Sequence, residues 1–314
     1  VTDHVLAPPF AAAEAPPARA FKVPLIDDIL ALDAFRLAAT MTLVLLFFWV
    51  DDFWYLKIPV VIIAAAGVLY PPLIERVNFW FAIAAFMAAS AYQNWYTIDN
   101  HKYLMLYWCI ALSACCATKQ RREALRSNAR WLIGLAFGFA TLWKFLSKDF
   151  TDASFFYHTA LTEPRFETLA RWVGGVPQSV FGATYDAVRA LRHADQPPYA
   201  INVYDSARLL FFARFMTWWT IVVEGTIAIA FLAPSRWITA KLRNPSLLLF
   251  LLSTYTAATV VGFGWVLAIM GYAQARDDAR WTKAAYLVAF ALIFAYMGPW
   301  SDFFAGVVSN VAGK

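Results

Sequence analysis

The sequence predicts an all-α fold, a polytopic transmembrane helical bundle of about eight spans with a short helical extracytoplasmic segment. Three observations lead there. Of 314 positions, 61% are hydrophobic and only 15% charged, against about 25% charge in a soluble domain. Several charge-free runs reach the roughly 18–20 residues that cross a ~30 Å hydrocarbon layer. The basic residues cluster in the links between those runs, as they do where charge orients helices in a bilayer. A water-soluble globule, a disordered chain and a coiled coil all fit this pattern poorly.

Residues 1–28 are expected to be a disordered cytoplasmic tail, rich in Ala and Pro at its start. Asp3, Pro8 and Pro9, with no basic leader, argue against a signal peptide. The membrane domain is expected over 29–304 and a C-terminal tail over 305–314. Runs between charges and Pro or Gly breaks place spans near 31–50, 56–74, 77–96, 101–118, 129–147, 207–233, 246–274 and 283–304. The seventh run is longer than one span requires and contains Gly262 and Gly264, so it is one tilted or kinked span, or two pieces.

Lys119, Arg121, Arg122, Arg126 and Arg130 in one link, and Arg236, Lys241 and Arg243 in another, place both links on the cytoplasmic side. An even count of spans then puts both termini in the cytoplasm, in a bacterial inner membrane, with 148–206 outside. That outer segment is too long for a bare connector. Arg165–Trp172 and Tyr185–Leu191 read as two short helices within it, capping the membrane domain. The net charge of +5 follows from these links and forms no basic stripe with interleaved aromatics, so nucleic acid is not the partner. Cys109, Cys115 and Cys116 share one apolar run and read as small packing residues, with no metal site or disulfide framework implied.

A charge inside a span costs a few kcal/mol, so each marks a candidate site. Five stand out: Arg36, His101, Lys144, Arg214 and Glu224. Lys144 lies about fourteen residues, or ~21 Å, beyond the inner end of its helix, and His101 starts the preceding helix at the same outer depth. A lysine taken out of water gives up its proton more readily and can serve as a base. The alternative is that Lys144 snorkels to the nearby interface, with His101 an interfacial hydrogen-bonding residue. Arg214 falls in the outer half, where it can hold an anion or a carboxylate. Glu224 falls nearer the inner half and is read with Arg36 as a structural ion pair.

The stretch Asp99-Asn100-His101-Lys102-Tyr103-Leu104 resembles the Asn-His-x-Tyr-Leu signature of HTTM-domain proteins, the family of the vitamin K-dependent gamma-glutamyl carboxylase. Gly138 to Lys144, followed by Lys148-Asp149-Phe150, is similar to that family's lysine-bearing helix and its acidic-aromatic exit, and Leu32 to Arg36 resembles its opening Phe-Arg helix. The likeness extends in order and spacing over roughly residues 30 to 300. It implies that Lys144 deprotonates a reduced quinone at an outward-facing site, with His101 as hydrogen-bond partner. Asn100, Tyr103, Trp143 and Arg214 become candidates for holding a quinone, hydroquinone or other lipid ligand. Thr141 replaces the family's glycine, and Ser253 to Thr256 stand where the carboxylase has a histidine. Quinone or lipid binding is therefore expected ahead of peptide carboxylation. The competing reading is a non-catalytic subunit of a larger membrane complex, its aromatic surface and outer segment packed on other membrane proteins.

Overall fold

The computed structural model describes residues 28–48, 53–93, 95–96, 98–193, 204–257 and 260–297. The expected tails at 1–28 and 305–314 lie outside these, apart from Asp28. Among the described residues all regular structure is helical. The bundle begins with α1 (Ala34–Phe47), α2 (Trp54–Leu69), α3 (Val77–Gln93), α4 (Asn100–Cys116) and α5 (Arg121–Leu146). Residues 148–193 supply α6 (Lys148–Thr151), α7 (Ser154–Thr162), α8 (Glu167–Trp172) and α9 (Gln178–His193). The chain returns through α10 (Ala207–Leu232), α11 (Arg243–Ala257), α12 (Val261–Gln274) and α13 (Arg280–Met297).

By length and composition, α5 and α10 qualify to cross a membrane, at 26 residues each, while α1 and α2 are shorter apolar helices. Where these helices face outward, they present large apolar side chains. On α5, Leu135, Phe139, Leu142 and Leu146 are exposed at spacings of four, three and four; on α10, Phe211, Phe215, Trp218 and Val222 repeat that spacing. Exposed apolar stripes of this length are costly against water and suit a hydrocarbon solvent. Beneath them lies a dry core that includes Trp80, Trp108 and Trp265, all essentially fully buried. All three indoles donate, Trp108 Nε1 to Thr42 Oγ1 at 2.9 Å, Trp80 Nε1 to the Ile74 carbonyl at 2.8 Å and Trp265 Nε1 to the Phe290 carbonyl at 3.2 Å, so each of these buried N–H groups is satisfied.

Charged residues gather at one end of the bundle. Glu75, between α2 and α3, takes Arg36 at 2.6 Å and Arg121 at 3.4 Å. Asp277, between α12 and α13, takes Arg122 at 2.5 Å, Arg126 at 2.9 Å and Lys283 at 2.9 Å. Burial alone pushes the Asp277 carboxyl up; hydrogen bonds from Lys283 and Arg122, with their charges, reverse this and hold it at about 2. Hydrogen bonding from Arg36 likewise holds Glu75 below the usual range.

One open reading is decided and one expectation changes. The run at 246–274 is two helices, α11 and α12, which form an antiparallel hairpin: Gln274 Nε2 donates to Asn244 Oδ1 at 2.5 Å. Both ends of the hairpin therefore lie at the charged end. Since α13 starts there beside Asp277 and carries Phe294 to within 5.5 Å of Phe48 at the far end of α1, its last turn lies opposite the start of α1. The chain ends themselves, which the even count of spans placed on one side, lie outside the described residues. The segment 148–206, in turn, holds four α-helices among its described residues where two were expected.

The α5–α10 pair sets the position of the site. Gly134 and Gly138 on α5 admit Leu232 and Ala228 of α10 at close range, and Gly225 faces Thr141. This antiparallel register leaves the first thirteen residues of α10, 207–219, about 20 Å of helix, running past the end of α5. Against that overhang packs the outer segment, with Leu161, Ala170, Val176 and Phe181 around Leu209 and Phe212, and Ala153, Phe156 and Phe166 around Ala213.

Candidate functional site

Helix α5 ends at Leu146 because Ser147 turns to extended backbone, and the chain restarts at once in the short α6. Lys144 is thus held in the last turn of α5, under the Phe150 ring, whose centroid is 5.3 Å from Nζ. Its Nζ lies 2.6 Å from Glu224 Oε2, with the two side chains only 13% and 11% exposed. The pair bridges α5 and α10 at the level of Thr141 and Gly225. Two hydroxyls near it in sequence are buried without hydrogen-bond partners, Thr141 Oγ1 and Thr217 Oγ1. Thr141 precedes Lys144 by one turn, and Thr217 precedes Glu224 by two. Other threonines of α10 return their hydroxyls to helix carbonyls, Thr220 to Met216 at 2.9 Å and Thr226 to Val222 at 2.7 Å. Buried polar atoms left without partners ask for an explanation, a ligand or water among them.

The remaining candidates scatter. His101 is half-buried in the first turn of α4, its ring against α12, where a Cβ on Gly262 would lie 2.8 Å from Cδ2. Among the described residues no hydrogen bond joins His101 to Lys144, so the expected partnership is replaced by Lys144 with Glu224. Asn100 is exposed and Tyr103 half-buried on α4. Trp143 is 68% exposed, on the outside of the bundle, because it sits about 100° around the helix from Lys144. Arg214 is exposed on the α10 overhang, apart from the Lys144 pair. The expected Arg36–Glu224 pair is likewise replaced, Arg36 bonding Glu75 through Nε at 2.7 Å and Nη2 at 2.6 Å.

No protein-family model, curated protein or solved structure matches the chain. The likeness to HTTM proteins rests on the quoted residues. Of those, the chain folds Lys144 and Phe150 into one contact and leaves His101 on the α12 side.

Sequence reasoning missed Glu224 as the partner of Lys144, because depth was counted from helix ends assumed level. It also missed the two carboxylate hubs. Asp277 had a signal, being an acid next to Arg276 and Asp278 in the link before a lysine-bearing helix, but two of its three partners, Arg122 and Arg126, come from α5, more than 150 residues earlier. Chemically, the site offers a primary amine and a carboxylate on one short hydrogen bond, an aromatic ring over the amine, and two free hydroxyls close by in the helices. Such a set can bind a polar head on an apolar molecule and exchange a proton with it.

Proposed function

We propose that the chain is an integral membrane protein whose Lys144–Glu224 pair exchanges a proton with a hydroxyl-bearing apolar ligand, of the quinol or isoprenoid-lipid class, approaching from the outer side. The observation that carries this reading is the buried 2.6 Å pair, with the orphaned Thr141 and Thr217 hydroxyls supporting it. In an apolar setting the desolvation of two charges nearly offsets their attraction, so a proton can pass along the hydrogen bond at small cost. Lys144 then takes the ligand's hydroxyl proton and stands as an ammonium beside the resulting anion, while Glu224 keeps the amine oriented.

The membrane reading draws on the apolar stripes of α5 and α10 and on the gathering of arginines at one end. That end faces the cytoplasm under the positive-inside rule, which puts the 243–274 hairpin's two ends inside and the last turn of α13 outside.

A second reading makes the pair a structural staple in a membrane-complex subunit. The close engagement of the Lys144 amine with Glu224 favours it. Comparing Lys144→Arg with the parent separates the two. A guanidinium keeps the ion pair but does not give up a proton near neutral pH. On the proton-exchange reading, Lys144→Arg assembles normally and loses turnover of a reduced quinone, or loses the lipid that copurifies with the parent. An Arg variant that keeps both would leave the staple reading in place.

A further inference from the structure

At the charged end, away from the Lys144 pair, two guanidinium groups converge on one hydroxyl. Arg130 Nη1 and Arg243 Nη1 lie 3.4 and 3.3 Å from Ser235 Oγ. The other contacts of Arg243 are to carbonyls, Nε to Ala230 at 2.9 Å and Nη2 to Ala233 at 2.5 Å, which close the last turn of α10. Arg130 Nε is buried without a hydrogen-bond partner, and so is Thr239 Oγ1 in the same α10–α11 link. The two carboxylate hubs of this end are taken by other cations, Glu75 by Arg36 and Arg121, and Asp277 by Arg122, Arg126 and Lys283.

The α10 terminus contributes only about half an elementary negative charge against two full positive ones. Like charges brought to one oxygen repel, and an anion between them removes the repulsion while supplying acceptors for the unused N–H groups. A tetrahedral oxyanion suits two planar forks better than a chloride ion does. Around the arginines are exposed apolar side chains: Trp131, beside Arg130 with its ring 5.2 Å from the guanidinium, and Trp237, Ile238 and Leu242 in the link. Tryptophan next to arginine is the arrangement found at the headgroup level of a bilayer.

We infer that Arg130 and Arg243 form a phosphate-binding site at the inner end of the bundle, occupied by the phosphodiester headgroup of an anionic lipid. The need for an anion follows from the side chains alone; its lipid source rests on the membrane reading above. The test uses the full chain, delipidated in a mild non-ionic detergent, with thermal unfolding followed during titration with phosphatidylglycerol, phosphatidylcholine or inorganic phosphate. Phosphatidylglycerol should raise the midpoint and phosphatidylcholine should not. Arg130→Gln, which leaves the carbonyl contacts of Arg243 intact, should weaken the response at least tenfold, and Arg130→Lys should weaken it less. An Arg130-dependent rise with inorganic phosphate of equal size would keep the anion site and overturn its lipid source. No rise with either phosphate compound, or an undiminished response in both Arg130 variants, overturns the site. A chain that stays dispersed without detergent refutes the membrane reading while the inorganic phosphate arm still decides the site.

Discussion

Burying Lys144 and Glu224 together makes each dependent on the other. Lys144→Met keeps the length of the side chain but leaves a carboxylate buried without a cation, so stability should fall by about 3–5 kcal/mol. Adding Glu224→Leu removes the orphaned charge and should recover most of that loss, a non-additivity that denaturant unfolding in detergent can measure. Additive losses would mean that the pair is not formed. Asp277 provides a pH test at the other end. Its folded value of about 2 lies below the ordinary 3.8, so its stabilisation is complete above the unfolded value and is lost as pH falls from near 4 through about 2. Parent and Asp277→Asn should therefore differ in melting midpoint at pH 5 and converge near pH 2. Lys144 was legible in the sequence because a charge in an apolar run is conspicuous. Its partner was not, because pairing depends on how far two helices slide past one another, and no local residue pattern records that.

Helices themselves are well marked by the apolar runs, and Asp33 shows why a start can be read locally: its Oδ1 accepts the Arg36 N–H at 2.9 Å, as an N-cap does. The division of 243–274 was half legible. Excess length and Gly262 with Gly264 signalled a break, but only packing shows that α12 turns back along α11. Gly271 lets α12 lie close to α13, against the Tyr286 ring, whose hydroxyl donates to Asn244 Oδ1 at the start of α11 at 3.1 Å. Gly271→Val should force that rigid, fully buried ring aside and cost about 1–3 kcal/mol, seen as a lowered unfolding midpoint. An unchanged midpoint would place Tyr286 elsewhere. The outer segment makes a further test at this scale. With Phe156, Phe166 and Phe181 packed on the α10 overhang, residues 154–190 should resist protease added from outside, whereas a bare linker would be cut there.

Seen whole, the molecule has one charged end, an apolar girdle and a capped end, and its chemistry is placed by that polarity. The Lys144 pair lies toward the capped end, the Arg130–Arg243 pair at the charged one. Composition and the basic links mark the apolar girdle and the charged end; the parity of the crossings they do not reveal, since it turns on the α11–α12 hairpin. The link between α12 and α13 is where the two possibilities differ. A single seventh span would carry it to the outer face, with 148–206, whereas the hairpin returns it to the arginines of α5. The decisive measurement is labelling of Asp278→Cys by a membrane-impermeant thiol reagent, in a chain with Cys109, Cys115 and Cys116 replaced, beside Ser127→Cys and Ser179→Cys as references. The account predicts that Ser179→Cys reacts in intact cells, while Asp278→Cys and Ser127→Cys react only in inverted vesicles. Reaction of Asp278→Cys from outside, together with Ser179→Cys, would contradict it.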